Sequence, residues 1–387
     1  MNQKKTYSII IATGGTGGHI FPALAIGKYF KANGHRVIIA GTGNDLERKI
    51  FGQNDIEVKY FKARKIERKG LMTFFDPINY QNFYKTIFKH DAEVINFFKD
   101  FEPDLVIGMG GYPSLSICSA VDRSDKTVVV IHEQNAKAGL ANRMLSYWKA
   151  LGVIEGLPNG FGRITKFFVD DCVFLGNPVR QEIVDTRKLP REFPDNSKKP
   201  RILIIGGSQG ARSINNTVPK AMHLLSQKID LEIRHDTGKA DYKEIKKIYE
   251  ELNINATVSE YINDISEAYG WSDLVIARAG ALTVSELSAV GLPSILIPYP
   301  HATDNHQFYN AKFLVDKQAA EMILDQDLDP DKLAIKVESF LLEKDKLKNA
   351  SIAAYDKTFV LATEKISDYC IRIIEKGPIV LSNESPH

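Results

Sequence analysis

The chain has 387 residues, of which 44% are hydrophobic and 25% charged, and a formal net charge of +2. That length suggests two domains with cores of their own, the composition is ordinary for a globular enzyme, and the near-neutral balance argues against a general nucleic-acid binder. Cys118, Cys172 and Cys370 are few, odd in number and widely spaced, which fits reduced thiols rather than a disulfide framework or a zinc site.

Met1 to Lys5 lead directly into the first apolar run, with no signal-peptide h-region, and no apolar stretch approaches the roughly 18 to 20 residues that span a bilayer. A protein that stays inside the cell is expected. Strands are predicted at 7–12, 36–40, 104–108 and 127–131, separated by longer helical stretches, which is the βαβ pattern of a parallel sheet. The pattern restarts at 201–205 and continues at 230–234, 273–277 and 294–298, after a polar, proline-containing stretch from Arg187 to Pro200. An amphipathic helical tail follows near 346–375, and 376–387 has the composition of a frayed end. If two doubly wound sheets present their carboxyl ends to one another, ligands bind in a cleft between them.

Two glycine-rich turns carry the chemistry. Gly14-Gly15-Thr16-Gly17-Gly18-His19 and Gly206-Gly207-Ser208-Gln209-Gly210 each follow a β-branched run and open a predicted helix. Glycine there lets backbone N–H groups and the positive end of a helix approach an anionic phosphate. Neither turn is a Walker-type P-loop. The dinucleotide fingerprint also fails: from Gly15 its third glycine position is Ile20, and no acidic residue closes the second strand Val37 to Ala40. A third helix entry, Arg278-Ala279-Gly280-Ala281-Leu282-Thr283-Val284-Ser285-Glu286, reads as a further phosphate cradle, with Glu286 placed to accept hydrogen bonds from a ribose diol or, alternatively, simply to sit favourably near a helix start.

Taken together with His132-Glu133-Gln134-Asn135, Gly139-Leu140-Ala141-Asn142, Gly176-Asn177-Pro178-Val179-Arg180 and Asp304-Asn305-His306-Gln307, these motifs resemble the MurG family over roughly residues 6 to 370. The resemblance implies an α/β GT-B fold of two Rossmann-like parallel-sheet domains facing across a cleft. It places an N-terminal acceptor- and membrane-facing domain at 1–176, a C-terminal UDP-sugar domain at 177–354, and a helix at about 355–375 returning to the first. It implies inverting transfer of N-acetylglucosamine from UDP-GlcNAc to the muramoyl 4-hydroxyl of lipid I, giving lipid II for peptidoglycan synthesis. No metal or other cofactor is implied, and the acidic run Asp325 to Asp331 reads as helix capping.

By matched motif, the resemblance places Thr16, Gly17 and Gly18 along the donor–acceptor cleft, counts Asn142 among the substrate-binding residues and assigns Asn135 to the GlcNAc sugar. Arg180 and Ser208 are assigned to the diphosphate. Ile262 would serve uracil through its backbone, its side chain being expected in the core. Ala281 to Ser285 (Ala281, Leu282, Thr283, Val284, Ser285) would form the cradle, Glu286 would bind the ribose, and Gln307 the donor sugar. His19 is the expected catalytic base, since it follows the first glycine turn and histidine titrates near neutral pH, with Glu133 in reserve. Orienting the acceptor is the other role open to His19.

Lys62, Arg64, Lys65, Arg68 and Lys69, followed by Leu71, Met72, Phe74 and Phe75, read as a patch for an anionic membrane surface, each cation contributing roughly 1 kcal/mol near such a leaflet. The resemblance implies a peripheral position on the cytoplasmic face of the bacterial inner membrane, with wall-synthesis proteins as candidate partners. A solvated loop leading into a helix near Pro77 is the plainer reading of that patch. Trp148 to Lys166, rich in glycine, departs from the family pattern. The competing readings are a UDP-GlcNAc 2-epimerase, which needs further cleft carboxylates and no lipid acceptor, a diacylglycerol glycosyltransferase, and a noncatalytic sugar-nucleotide-binding subunit.

Overall fold

The computed structural model describes residues 5–62, 92–122, 126–162, 171–187, 191, 193, 198–207, 211–343 and 345–377. The chain divides into two compact units. Unit 1 takes in the described residues of 1–134, 138–178 and 361–387, and unit 2 those of 135–137 and 179–360.

In unit 1 the order is β1 (Ser8–Ala12), α1 (Gly17–Ala32), β2 (Arg36–Gly41), α2 (Asp45–Gly52), β3 (Glu57–Tyr60), α3 (Ala92–Phe101), β4 (Leu105–Gly108), α4 (Gly111–Ser119), β5 (Val128–Glu133), α5 (Leu140–Trp148), β6 (Gly152–Glu155) and β7 (Cys172–Phe174). All pairings are parallel, and the strand order is β3-β2-β1-β4-β5-β6-β7. The β-branched runs are continuous because both faces are covered. Ile9 and Ile11 of β1 face one core with Phe30 of α1, while Ile10 and Ala12 face another with Phe97, Phe101 and Leu115.

Unit 2 runs α6 (Gln181–Asp185), β8 (Arg201–Ile205), α7 (Arg212–Ser226), β9 (Glu232–Asp236), α8 (Tyr242–Glu251), β10 (Ala256–Ser259), α9 (Ile265–Trp271), β11 (Leu274–Ala277), α10 (Ala281–Val290), β12 (Ser294–Leu296), α11 (His306–Asp316), β13 (Ala320–Met322), α12 (Pro330–Leu342), α13 (Lys346–Ala354) and α14 (Lys357–Val360). Its sheet is again parallel throughout, ordered β10-β9-β8-β11-β12-β13. The final helix, α15 (Ala362–Lys376), groups with unit 1, where Ala362, Ile366, Tyr369, Cys370 and Ile373 enter the core beside α1. That spacing keeps one apolar stripe on the sheet.

Each unit therefore reverses its strand order between its first and fourth strands, and the crevice of an open α/β sheet lies at the carboxyl ends of those two. The opposite, amino ends are tied alike in both units. Asp104 accepts from the Ser8 N–H at 2.8 Å, and Asp273 accepts from the Arg201 N–H at 2.9 Å. The 346–375 stretch is not one helix but three, broken where Asp356 accepts from the Thr358 N–H and pairs with Lys317 at 2.8 Å. The glycine-rich 148–162 stretch folds as an ordinary buried strand, β6, followed by a turn in which Glu155 accepts from the N–H groups of Asn159 and Phe161. The three cysteines are free thiols, Cys118 and Cys370 buried and Cys172 half-buried.

His235 in β9 is fully buried, with Nδ1 3.1 Å from the Tyr249 hydroxyl and Nε2 3.1 Å from Asn215 Oδ1. Burial pushes its imidazole down to about 3. The folded chain keeps the ring neutral where the unfolded chain, titrating near 6.5, binds a proton. The stability this ring contributes is whole above about pH 6.5 and is lost as pH falls toward 3, by up to about 1.4 kcal/mol per pH unit. Urea midpoints followed from neutral to acid pH should fall less steeply for His235→Phe than for the parent; equal slopes would rule the histidine out.

Candidate active site

The first glycine turn leaves β1 at its carboxyl end and enters α1 beside the loop that leaves β4. Gly15 takes φ +94°, a left-handed value that favours glycine, and Gly14 has no room for a side chain, since a Cβ there would lie 2.8 Å from Pro113 Cγ. Thr16 caps α1 in extended conformation with its side chain making no cap hydrogen bond, and it is exposed. Gly17, Gly18 and His19 are half-buried, and helix geometry gives the N–H groups of Gly17 and Gly18 no acceptor inside α1.

His19 Nδ1 lies 2.7 Å from Gln134 Oε1. Behind it, Gln134 Nε2 is 2.9 Å from His132 Nδ1 and 3.2 Å from the His132 carbonyl, and His132 Nε2 is 3.2 Å from the Gly176 carbonyl. Burial pushes His132 down to about 4, so it is neutral. Glu133 is buried, and its Oε2 accepts from the Gly139 N–H at 3.0 Å and from Asn142 Nδ2 at 2.9 Å. Asn142 is buried too and also donates to the His132 carbonyl at 3.2 Å. Gly110 and Gly111, at φ +96° and +78°, bring the β4 loop under this group, where a Cβ on Gly110 would lie 3.1 Å from His19 Cε1 and 3.3 Å from Asn142 Nδ2. The first glycine turn and the His132 to Asn142 segment are thus brought together, and Gly110 joins them although the sequence reading passed over it.

Glu47 was likewise missed. It is fully buried and accepts from the N–H groups of Gly15 (3.1 Å), Thr42 (2.7 Å) and Gly43 (2.7 Å), from the Thr42 hydroxyl and from Asn44 Nδ2, both at 2.7 Å. The available signal was Asn44-x-x-Glu47, the spacing of a capping box, and Asn44 does cap α2 by accepting from the Glu47 N–H. Its carboxylate fastens the glycine turn to the end of β2 and is taken up by backbone donors, so the sheet still offers no ribose acid of the dinucleotide type.

In unit 2, Gly280 caps α10, and the first intrahelical bond runs from the Val284 N–H to the Gly280 carbonyl at 3.0 Å. The N–H groups of Ala281, Leu282 and Thr283 point out of the helix end. The Ala281, Val284 and Ser285 side chains are buried, Ser285 Oγ donating to the Ala281 carbonyl at 2.8 Å, so this turn presents backbone to a ligand. Glu286 Oε2 accepts from the Tyr269 hydroxyl at 3.0 Å, and Oε1 lies 3.5 Å from Arg180 Nη2. Burial raises the Glu286 carboxyl above its ordinary range against the opposing pull of Arg180 and Tyr269. Arg180 and Glu286, read separately from the sequence, are therefore partners, and Tyr269 is a third member that no sequence pattern marked.

Arg278 braces rather than points outward: it donates to the carbonyls of Ile297 and Pro298 and to Ser213, and pairs with Asp325. Asp329 caps α12. Among the described residues no group of three or more His, Cys, Asp or Glu could hold a metal ion. Ile262 is half-buried on the loop between β10 and α9, not in the core as expected, because the residues around it, Tyr261, Asn263 and Asp264, are exposed and leave no sheet face to bury it. Gln307 Oε1 accepts from the Tyr299 N–H at 2.9 Å. Asn310, also missed, is buried; it accepts from the Ala136 N–H and donates to Asn135 Oδ1 and the Ala279 carbonyl. Lys62 is exposed; Arg64, Lys65, Arg68, Lys69, Leu71, Met72, Phe74, Phe75 and Ser208 lie outside the described residues.

Residues 9–153 match the glycosyltransferase family 28 N-terminal domain, and residues 201–366 match the glycosyltransferase family 28 C-terminal domain. A protein of Shewanella pealeana named "UDP-N-acetylglucosamine--N-acetylmuramyl-(pentapeptide) pyrophosphoryl-undecaprenol N-acetylglucosamine transferase" is 36% identical over 382 residues, covering 97% of this chain and 100% of that one. The protein of the same name from Shewanella frigidimarina is 35% identical over 384 residues, covering 97% and 99%. Among solved structures, that of MurG from Acinetobacter baumannii superposes with a TM-score of 0.76 at 29% identity, covering 95% of this chain and all of the other.

Replacing Glu47 by glutamine sets an amide N–H₂ against a ring of N–H donors. Glu47→Gln should cost about 1–3 kcal/mol, the order expected for leaving a buried donor unpaired. Amide exchange at Gly15 and Gly43 should quicken together; unchanged exchange with unchanged urea stability would show that the carboxylate is not what fastens the turn.

Proposed function

The chain belongs to the MurG family within glycosyltransferase family 28, and from that footing we propose that it transfers N-acetylglucosamine from UDP-GlcNAc to the muramoyl 4-hydroxyl of lipid I, with inversion, to give lipid II. What carries the reading is that both halves match at once: relatives of that name align over 97% of the chain, through both glycine turns.

In the reaction, the acceptor O4 bonds to C1 of the sugar on the face opposite UDP. The C1–O bond to the β-phosphate breaks, its electron pair leaves with UDP, and the O4 proton passes to a base. His19 is that base. It stands half-buried at the entry of α1 among backbone donors, whereas the Glu133 carboxylate is buried and engaged with Gly139 and Asn142. The α10 terminus, Arg180 and Ser208 neutralise the departing diphosphate, which develops charge as the bond breaks. Glu286 binds the ribose diol, its carboxylate already oriented by Tyr269. Thr16, Gly17 and Gly18 line the donor–acceptor cleft, Asn142 belongs with the substrate-binding residues, Asn135 and Gln307 serve the donor sugar, and Ile262 offers backbone to uracil. No metal enters the chemistry. Among the described residues no helix is long and apolar enough to cross a membrane. The enzyme meets its lipid substrate as a peripheral protein at the cytoplasmic face of the inner membrane, through the basic and apolar stretch that begins at Lys62.

Labelled GlcNAc from UDP-GlcNAc should appear in a short-chain lipid I analogue with EDTA present, while ManNAc and UDP-ManNAc are assayed in parallel. Epimerised product would move the chain to the 2-epimerase class, and loss of transfer in EDTA would overturn the metal-free route. His19→Ala should lose roughly 10²- to 10⁴-fold in turnover, the usual worth of a general base, while keeping UDP-GlcNAc binding. Glu286→Ala should chiefly weaken the donor; equal loss of donor binding in both variants would overturn this division of roles.

A further inference from the structure

A histidine acts as a base only through a nitrogen that carries a lone pair, and which nitrogen that is depends on what holds the other one. The hydrogen bonds behind His19 settle this from the protein side. The Gly176 carbonyl can only accept, so His132 Nε2, 3.2 Å away, carries the proton. His132 is completely buried and neutral, which leaves its Nδ1 as an acceptor. Gln134 Nε2 faces that acceptor at 2.9 Å and the His132 carbonyl at 3.2 Å, so the amide nitrogen is on this side on two counts. The amide oxygen then faces His19 Nδ1 at 2.7 Å and can only accept from it.

The reversed amide fails at both of its His132 contacts. It would set its oxygen against the His132 carbonyl, and against His132 Nδ1 unless that ring carried a second proton. A second proton would make a buried imidazolium, which the surroundings of His132 oppose. Nor is there room for the Gln134 side chain to turn away, because the residue is 1% exposed, and its main chain is held where the Asn177 side chain donates to the Gln134 backbone carbonyl at 2.9 Å.

We infer that Gln134 is a positioning residue that holds His19 in its Nδ1–H tautomer, with His132 and the Gly176 carbonyl fixing the direction of the amide, and leaves Nε2 as the nitrogen that receives the acceptor proton. This rests on the reading of His19 as the base and specifies it to one atom. As O4 bonds to C1 and the C1–O bond to the diphosphate breaks, the O4 proton goes to Nε2. The Nδ1 proton stays on the Gln134 oxygen, whose partial negative charge favours the imidazolium that forms. Gly110 lies against the same ring, where a Cβ at that position would come within 3.1 Å of His19 Cε1.

The test reads the tautomer directly. With the nine histidines labelled with nitrogen-15 and His19 assigned by the signals that His19→Ala removes, the two-bond imidazole correlations near neutral pH distinguish Nδ1–H from Nε2–H. The parent should show Nδ1–H at His19. Gln134→Leu, which removes all three hydrogen bonds of the Gln134 side chain, should show a shifted or mixed tautomer, and kcat should fall at least about tenfold, within what a misdirected base costs, with the KM for UDP-GlcNAc unchanged. Nε2–H in the parent overturns the inference, as does a Gln134→Leu protein that keeps both its tautomer and its kcat. The base reading fails separately, if His19→Ala transfers GlcNAc at the parental rate, and the parent's tautomer spectrum stands whichever way that falls.

Discussion

A parallel strand buried on both faces has nowhere to keep polar chemistry except at its ends, and this constraint organises both units. Ile9, Ile10 and Ile11 are inaccessible on either side of β1, as are Ile202, Leu203 and Ile204 in β8. The amino ends are closed by Asp104 and Asp273, each bonded to the first N–H of the neighbouring strand. What remains is the carboxyl end beside the point where strand order reverses. There the first glycine turn, the Gly110-Gly111 loop and the entry of α10 are found.

Loops gathered at such an end contain backbone donors that no strand satisfies, and unit 1 meets them with buried carboxylates. Glu47 takes the N–H groups of Gly15, Thr42 and Gly43; Glu133 takes that of Gly139; Glu155 takes those of Asn159 and Phe161. A carboxylate accepts through two oxygens and donates nothing when ionised, which suits it to collecting several N–H groups at once. Three acidic residues are thereby committed to architecture. In unit 2 Glu286 differs: its partners are side chains, Tyr269 and Arg180, and burial raises its carboxyl. Backbone partners fix a loop, whereas side-chain partners can be exchanged for a ligand's hydroxyls.

Much of this was legible in the sequence, for physical reasons. Strands such as Ser8–Ala12 and Arg201–Ile205 are continuous β-branched runs because both faces are covered, and the glycine turns stand out because close approach and positive φ tolerate little else. The short strands Glu57–Tyr60 and Cys172–Phe174 were not predicted, being at the sheet edges and only partly buried. Tyr269 and Asn310 escaped because their partners lie far along the chain, Glu47 escaped although Asn44-x-x-Glu47 has the spacing of a capping box, and Gln134 stood only as part of a motif because its bond to His19 joins distant segments. Ile262 was expected in the core on the strength of its apolar side chain alone. The glycine-rich stretch that begins at Trp148 departs from the family pattern, yet Gly152 within it is a strand residue against which Tyr369 of α15 packs: a Cβ there would lie 3.0 Å from the Tyr369 ring carbon Cζ.

Two buried histidines show how such a fold sets proton positions without charge. His235 lies between the Tyr249 hydroxyl and Asn215 Oδ1, and Asn215 is itself oriented by donating to the Thr237 carbonyl and Asp241 at 2.8 Å. His132 lies between a carbonyl and the Gln134 amide. At His235 an amide anchored on a backbone carbonyl fixes the tautomer, whereas at His132 the Gly176 carbonyl fixes it and the ring directs the Gln134 amide in turn. The difference is where the chain of bonds ends. At His235 it closes inside the core of unit 2, so the ring serves stability alone. At His132 it continues through Gln134 to His19, which is half-buried, and the direction of every hydrogen bond set in the core is delivered to a ring that a substrate can reach. A charged His132 would reverse that direction, so the burial that keeps it neutral is also what keeps the lone pair on the outward nitrogen of His19.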